Sequence, residues 1–191
     1  MGYAQVRTSR VVLPDDAPFL EAVYRSTREA ELSALGWPSI TAEMFARSQF
    51  DMQTRYYASA FPSAEHLVVV VDGTPAGRLI VDRSGPGWHV VDLSLLVEHR
   101  GAGVGTAVVR QLLDEAAQSG VDVTCHAESS SRAQRFWEHL GFIAGDREGV
   151  HVRMAHRCGS SPGRDDLPAR GSGLSPQAQS ADLASHSTQW Y

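Results

Sequence analysis

The sequence of 191 residues lacks two residue types entirely. It contains no lysine and no asparagine, so all 17 of its basic side chains other than histidine are arginines. A nucleotide-binding P-loop needs a Gly-Lys pair followed by Ser or Thr, so the missing lysine excludes that class of site. Cysteine is also scarce, and Cys125 and Cys158 show neither metal-site nor disulfide spacing. We therefore expect no metal site and a reducing, cytoplasmic setting.

Long apolar runs and an excess of positive charge are missing as well. No apolar run is long enough to span a membrane, and residues 1–13 carry two arginines without the apolar segment of a signal peptide. The formal net charge is −5, whereas a general nucleic-acid binder needs a basic surface. The composition therefore predicts no nucleic-acid or membrane partner, and the negative charge mildly favours a cationic small molecule or peptide.

The apolar pattern predicts one α/β domain over residues 1–157, with four helices and a mixed sheet. Periodicity and turn residues give a first strand over 4–13, helices over about 17–35 and 39–61, and strands over 67–71, 76–81 and 88–97. A helix over 104–118, a strand over 121–125, a helix over 132–140 and a hairpin over 142–155 follow. Residues 158–191 are rich in Ser, Gly and Pro, which is typical of a disordered tail.

One stretch, Arg100 to Thr106, contains three glycines between a mostly apolar strand and an amphipathic helix. Glycine allows positive φ and a close approach of the backbone to a ligand. The first N–H groups of a helix lack intrahelical partners and carry the positive end of its dipole. Such a turn binds phosphate oxygens, and the Arg100 guanidinium adds a cation. The sequence therefore predicts a phosphate or pyrophosphate cradle.

A dinucleotide fold does not fit this turn. Its fingerprint has a third glycine three residues after the second, and an acidic residue at the end of the next strand. Here the glycines are Gly101, Gly103 and Gly105, and Asp122 begins the next strand. The antiparallel meander before the turn also does not suit a doubly wound sheet.

Two runs together resemble the GNAT superfamily of N-acetyltransferases, over roughly residues 5–155. The first is Arg100-x-x-Gly103-x-Gly105, and the second is the run over 132–142 that ends in Leu-Gly-Phe. The resemblance implies a mixed, mostly antiparallel sheet with helices on both faces and a splayed strand pair. It implies acetyl transfer from acetyl-CoA to a primary amine of a small molecule or peptide by direct attack, in a monomer or homodimer.

The resemblance also implies the residues that bind the cofactor. The pyrophosphate would lie on the turn, and the pantetheine arm would pair with the strand before it. The Leu95 N–H would polarise the thioester carbonyl, as an oxyanion hole does. The implied contacts are Leu93, Leu95, Arg100, Gly101, Ala102, Gly103, Val104, Gly105, Thr106, Ser130, Ala133 and Phe136. Ser130 stands where family members usually have Asn, and Phe136 is equally explained by core packing.

The general acid and base stay open. Many family members have a Tyr as acid where this chain has Trp137, and an indole cannot serve. The thiolate leaves unprotonated, or with a proton from water, Ser130 or a tyrosine on another element. Asp92 is a carboxylate in a mostly apolar strand, where charged residues are uncommon. Two roles would explain it: a base or amine anchor, or a structural hydrogen-bond acceptor near a strand bulge. His89 stands where histone-type members place a catalytic Glu, and is the second base candidate.

The acceptor site is expected between the first two helices, where Trp37, Arg55, Tyr56 and Tyr57 are candidates. Glu29, Glu31 and Glu43 would attract an amine there, although a solvated helix face is the more common explanation for most of these charges. Two other functions stay open: a catalytically weak CoA-binding sensor or partner-binding module, and an acyltransferase for longer chains.

Overall fold

A computed structural model describes residues 6–159 as a seven-stranded sheet with four α-helices. The strands are β1 (Val6–Val11), β2 (Glu65–Val71), β3 (Thr74–Asp82), β4 (Trp88–Leu95), β5 (Val123–Glu128), β6 (Ile143–Glu148) and β7 (His151–His156). The helices are α1 (Ala17–Ala34), α2 (Ser39–Ala60), α3 (Val104–Ser119) and α4 (Arg132–His139). Nearly all of the predicted tail lies outside the described residues.

The sheet has the order β1-β2-β3-β4-β5-β7-β6, and β4–β5 is its parallel pair. The other neighbouring strands are antiparallel, as expected from the predicted meander and hairpin. Asp72 and Gly73 have φ of 49° and 82°, which is the conformation that a two-residue hairpin turn requires. The predicted mixed sheet is confirmed.

Helices cover both faces of the sheet. One face packs its apolar side chains against α3 and α4 in the main core, where Val109 and Val123 are fully buried. The other face meets α1 and α2, and it carries Arg78 of β3 and Asp92 of β4, both buried. Polar groups under α1 and α2 are therefore shielded from water.

Several strand boundaries differ from the sequence prediction by a few residues, and for two of them the structure shows the cause. β4 ends at Leu95 because Val97–His99 form a short 3₁₀ turn. β5 begins at Val123 because the Val121 N–H still donates to the Ala116 carbonyl at the end of α3, a closure that Gly120 makes possible with a φ of 69°.

A tight contact between β3 and β4 predicts a large cost for one substitution. A Cβ added at Gly77 would overlap the Ser94 carbonyl oxygen and lie 2.6 Å from Leu95 Cδ2. We expect Gly77→Ala to lower the free energy of unfolding by about 1–3 kcal/mol, because β4 must move to admit the methyl group. Urea unfolding measures this loss.

The matched control is Gly145→Ala on strand β6, where the added Cβ would lie 3.4 Å from the Arg153 carbonyl oxygen. A smaller loss is expected there. An equal loss in the two variants would mean that the β3–β4 contact is not tight.

Among residues 6–159, no helix is both long enough and apolar enough to cross a membrane.

Candidate active site

Strands β4 and β5 separate where the resemblance placed a cofactor. They pair at three positions, from Trp88–Val123 to Val90–Cys125, whereas β4 continues to Leu95 and β5 to Glu128. Leu96 directly follows β4, and its backbone N–H donates to the Ala76 carbonyl of β3 at 2.9 Å. Because backbone groups alternate in direction along a strand, the N–H groups of Leu93 and Leu95 point to the β5 side. They therefore face the gap between the strands.

The glycine turn lies at the end of this strand, at the start of α3. Gly101 and Gly103 have φ of 71° and 81°, and a Cβ added at either would meet no atom within 4 Å. Gly103 is the N-cap residue of α3, and a glycine has no side chain with which to cap the helix. The N–H groups of Val104, Gly105 and Thr106 have no intrahelical acceptor by helix geometry. An exposed, uncapped helix start beside a backbone gap fits a pyrophosphate with an extended arm.

The structure gives the Arg100 side chain partners other than the phosphate predicted for it. Its Nε donates to the Leu95 carbonyl at 2.9 Å, and its Nη2 donates to Ser26 Oγ of α1 at 3.0 Å. Arg100 thus connects the end of β4 to α1. A guanidinium with several donors can hold two elements together in this way, and the predicted contact of Arg100 with a phosphate stays a prediction.

Two neighbouring serines, Ser130 and Ser131, lie at the start of α4 and make different hydrogen bonds. Ser131 is the N-cap, and its Oγ accepts from the Gln134 N–H at 3.1 Å. Ser130 is exposed and has a left-handed φ of 63°, a conformation that asparagine tolerates better than serine. Its N–H donates to Gln134 Oε1 at 2.7 Å. The hydroxyl of Ser130 is therefore on the surface at the helix start.

The aromatic residues of α4 belong mainly to the core. Trp137 is 2% exposed and meets Phe136 and Phe142 edge-on. Its Nε1 is buried without a hydrogen-bond partner among the described residues. Ala133 is also buried, while Phe136 is partly buried against the same core. Trp137 is therefore a core residue at the position where many family members have a tyrosine as general acid.

His89 lies opposite Thr124 in the middle of the three paired positions of β4 and β5, on the α2 side. Its ring stacks on Phe61 at 5.7 Å, and its Nδ1 is 2.9 Å from Thr124 Oγ1. The Thr124 hydroxyl in turn donates to the Trp88 carbonyl at 3.3 Å, so it accepts from His89 Nδ1–H. This tautomer leaves Nε2 with the lone pair. Burial, together with the nearby charges of His126 and Arg153, lowers the pKa of His89 to about 4.

A second imidazole, which the sequence reasoning did not single out, lies beside His89. His126 of β5 meets it edge-on at 5.2 Å, and burial lowers its pKa too. The alternation of buried and partly exposed residues in β5 places Thr124, His126 and Glu128 on one face. That alternation was the available signal, but β5 was predicted to end at residue 125.

Asp92 is fully enclosed by partners. It is 2% exposed, its Oδ2 accepts from Arg78 Nε at 2.6 Å and pairs with Arg78 Nη2, and Ser94 Oγ lies 3.3 Å from its Oδ1. Burial raises the pKa of Asp92, and Arg78 and Ser94 oppose that shift. The strand pairing skips Val91, so the carboxylate lies beside a bulge. These contacts fit the structural interpretation of Asp92, and its role as base or amine anchor stays a prediction.

The predicted acceptor residues do not converge. Trp37 lies in the α1–α2 connection, 42% exposed, with Phe45 edge-on at 5.3 Å. Arg55 is exposed and Tyr56 is half-buried on α2. Tyr57 is 2% exposed, with the Arg78 guanidinium 5.8 Å from its ring centre. Its position under Arg78 places it in the protein interior.

The part of the chain that the structure describes holds no group of three or more His, Cys, Asp or Glu side chains arranged to bind a metal ion.

Comparison with known proteins agrees with this geometry. The model of the acetyltransferase (GNAT) family matches residues 24–142. No curated protein matches the sequence.

Several solved structures share the fold at low sequence identity. A PaiA N-acetyltransferase from Thermoplasma acidophilum, solved with coenzyme A, is 15% identical with a TM-score of 0.60, over 78% of this chain and 98% of that one. An acetyltransferase from Thermus thermophilus is 19% identical with a TM-score of 0.59, over 81% and 99%. A GCN5-related N-acetyltransferase from Rhodopseudomonas palustris is 22% identical with a TM-score of 0.58, over 82% and 99%.

Proposed function

Because the chain belongs to the GNAT family of acetyltransferases, we propose that it transfers acetyl from acetyl-CoA to a primary amine of a small molecule or peptide. The observation that carries the proposal is the separation of β4 from β5 at the open N-terminus of α3. A single cleft there offers backbone groups for an extended arm and N–H groups for a pyrophosphate. We also propose that the protein is cytoplasmic, acts as a monomer or homodimer and needs no metal.

The residues proposed to hold acetyl-CoA are mainly backbone groups. The N–H groups from Gly101 to Thr106 hold the pyrophosphate, and those of Leu93 and Leu95 hold the arm and polarise the thioester carbonyl. Arg100 acts indirectly, because it fixes the Leu95 carbonyl and α1. Ala133, Phe136 and the Ser130 hydroxyl line the α4 side.

The reaction is a direct transfer. Acetyl-CoA, when bound, supplies an activated acyl group as a thioester. The acceptor amine attacks the carbonyl carbon, the C–N bond forms, the C–S bond breaks, and one proton leaves the nitrogen. Any proton acceptor must therefore reach the amine near the splay of β4 and β5.

His89 is our choice for the group that accepts a hydrogen bond from the amine. It is neutral at physiological pH because its pKa is about 4, and its Nε2 holds the lone pair. Asp92 is the less suitable base, since Arg78 and Ser94 engage both of its oxygens. We assign Asp92 the role of holding Arg78 in place.

Departure of the thiolate needs no acid from α4. Trp137 is packed into the core and is not acidic. A CoA thiol has a pKa of roughly 8.5 by analogy with cysteine, so its thiolate is a fair leaving group. Water or the Ser130 hydroxyl, which lies on the surface, supplies any proton that is needed.

Trp137 also favours a second candidate, a CoA-binding module with weak or no turnover. Such a protein keeps the cleft but not an efficient proton route. The two candidates differ in one measurable property, the release of free thiol in the presence of an acceptor.

Cofactor binding is tested by thermal unfolding with acetyl-CoA and with CoA. A ligand at 100 times its Kd adds about 2.7 kcal/mol of stability, so we expect the unfolding midpoint to rise by roughly 5–10 °C. Gly103→Ala should reduce this ligand-induced rise, because the added Cβ lies at the exposed helix start. Its matched control is Gly120→Ala at the other end of α3, where the positive φ and the open surroundings are the same.

The outcomes separate the candidates. A ligand-induced rise that G103A loses and G120A keeps supports the cleft, and no rise at millimolar cofactor rejects both candidates. Thiol release with a panel of polyamines, aminoglycosides, amino acids and peptide N-termini then distinguishes an enzyme from a binding module. Binding without thiol release from any panel member would favour the module.

A further inference from the structure

A buried arginine on α1 is left with an unused donor. Arg28 is 6% exposed, and its Nη2 is buried without a hydrogen-bond partner among the described residues. Its Nη1 donates to the Glu31 carboxylate at 3.2 and 3.3 Å, and the guanidinium lies 5.8 Å from the Tyr24 ring centre. A buried guanidinium donor without an acceptor is costly, which indicates a site made for one.

The charges around Arg28 favour a carboxylate. The neighbouring Arg78 is also buried, but it already holds Asp92 and Gln53 Oε1. Arg28 has only the Glu31 carboxylate as its ion-pair partner among residues 6–159, through long hydrogen bonds, and that side chain is 47% exposed. A carboxylate from outside can replace Glu31 on the guanidinium without changing the charge of the site. The planar fork of arginine matches the two oxygens of a carboxylate.

Arg28 also lies on the helix that is attached to the cofactor cleft. Ser26, two residues before it, accepts from Arg100 Nη2, and Arg100 Nε holds the carbonyl of Leu95. Helix α1 packs on β4, and the Arg28 charge is felt at Asp92 on that strand. A group bound at Arg28 would therefore lie on the α1 side of β4, the strand whose end carries the proposed thioester position.

We propose that Arg28 binds the carboxylate of the acceptor, so the acceptor is an amine that also carries a carboxylate, such as an amino acid. This inference rests on the proposed acetyl transfer and narrows its acceptor class. Glu31 occupies the guanidinium in the free protein and gives way to the acceptor. Cationic polyamines, which the net charge of the chain favoured, are then poor acceptors.

The test compares each amino acid with its amide. Glycine, leucine and phenylalanine are assayed for thiol release beside glycinamide, leucinamide and phenylalaninamide. We expect at least a tenfold higher kcat/KM for the acids, although the amides have the less basic and more readily deprotonated amine. Arg28→Gln should lower kcat/KM for the acids by about 10- to 100-fold, which corresponds to one lost charge-assisted hydrogen bond, and should leave the amides unchanged.

Glu31→Gln keeps the test decisive if Arg28→Gln does not fold. Glu31 is largely exposed, so the variant should fold, and removing the competing carboxylate should lower KM for the acids at least threefold. A higher KM for the acids in E31Q would overturn the proposal, because it would make Glu31 an attractor of the amine. Equal rates for acids and amides in the wild type would overturn it as well.

Failure of the narrower inference is distinguishable from failure of the proposed function. Thiol release with polyamines or amides only, insensitive to Arg28, rejects the carboxylate site and keeps the acetyltransferase. Acetyl-CoA binding without thiol release from any acceptor rejects the acetyltransferase itself.

Discussion

His89→Gln is expected to lower kcat by about 100-fold while acetyl-CoA binding is retained. General base groups typically contribute 10²- to 10⁴-fold, and we expect the lower end because a pKa of about 4 makes His89 a weak base. Glutamine keeps a similar size and a hydrogen-bonding end, so Thr124 retains a partner. Steady-state thiol release, with the cofactor-induced thermal shift as the binding measurement, separates the two effects.

The matched control is His126→Gln on β5, which changes the neighbouring imidazole at 5.2 Å. If His89 is the group that meets the amine, the second variant should have the smaller effect on kcat. A loss that is larger in H126Q would transfer the role to His126. Unchanged turnover in H89Q would remove His89 from the mechanism.

The lowered pKa of His89 also predicts how its contribution to stability depends on pH. In the unfolded chain His89 has a pKa near 6.5, so below that pH the unfolded state binds a proton that the folded state refuses. The contribution of neutral His89 is therefore complete above about pH 6.5 and is lost as the pH falls towards 4. H89Q should flatten this part of the stability profile. His126 and His66, whose pKa values burial also lowers, contribute to the slope that remains, and Asp16 adds to it near pH 4.

Local features of the fold and site followed from the sequence. Asp72-Gly73 is a dipeptide typical of a two-residue hairpin turn, and the three glycines after β4 predicted a turn that leads into α3, since each feature depends on neighbouring residues alone. The family resemblance then implied the splayed strand pair, which the pairing of β4 with β5 over three positions shows.

Contacts between distant elements were not predictable in the same way. The partner of Asp92 depends on a strand register that shifts at Val91, and no periodicity in β4 reveals that bulge. Arg100 reaches Ser26, 74 residues earlier in the chain, so its side chain connects α1 to the end of β4, a contact that no local pattern indicates. In the sequence, Arg28 does not differ from an exposed charge on a helix, because its burial depends on how α1 packs.

The buried Arg78–Asp92 pair is a contact between distant residues that we expect to contribute strongly to the stability of the fold. We expect Arg78→Met to lower the free energy of unfolding by about 3–5 kcal/mol at pH 7, because it leaves the Asp92 carboxylate buried without its cation. Arg25→Met is the control, since the Arg25–Glu43 pair is exposed, 3.7 Å long, and should contribute less than about 1 kcal/mol. Urea unfolding of both variants measures the difference.

A pH series and a double variant test the cause of that loss. Without Arg78, burial raises the folded-state pKa of Asp92 further, so both states are protonated at low pH and the destabilisation grows as the pH rises through the folded-state value. Adding Asp92→Leu to R78M should recover most of the stability, since an apolar pair of similar volume replaces a buried ion pair at little cost. Equal losses at pH 5 and pH 8, or no recovery in the double variant, would mean that Arg78 stabilises the fold by packing on Tyr57 and not through Asp92.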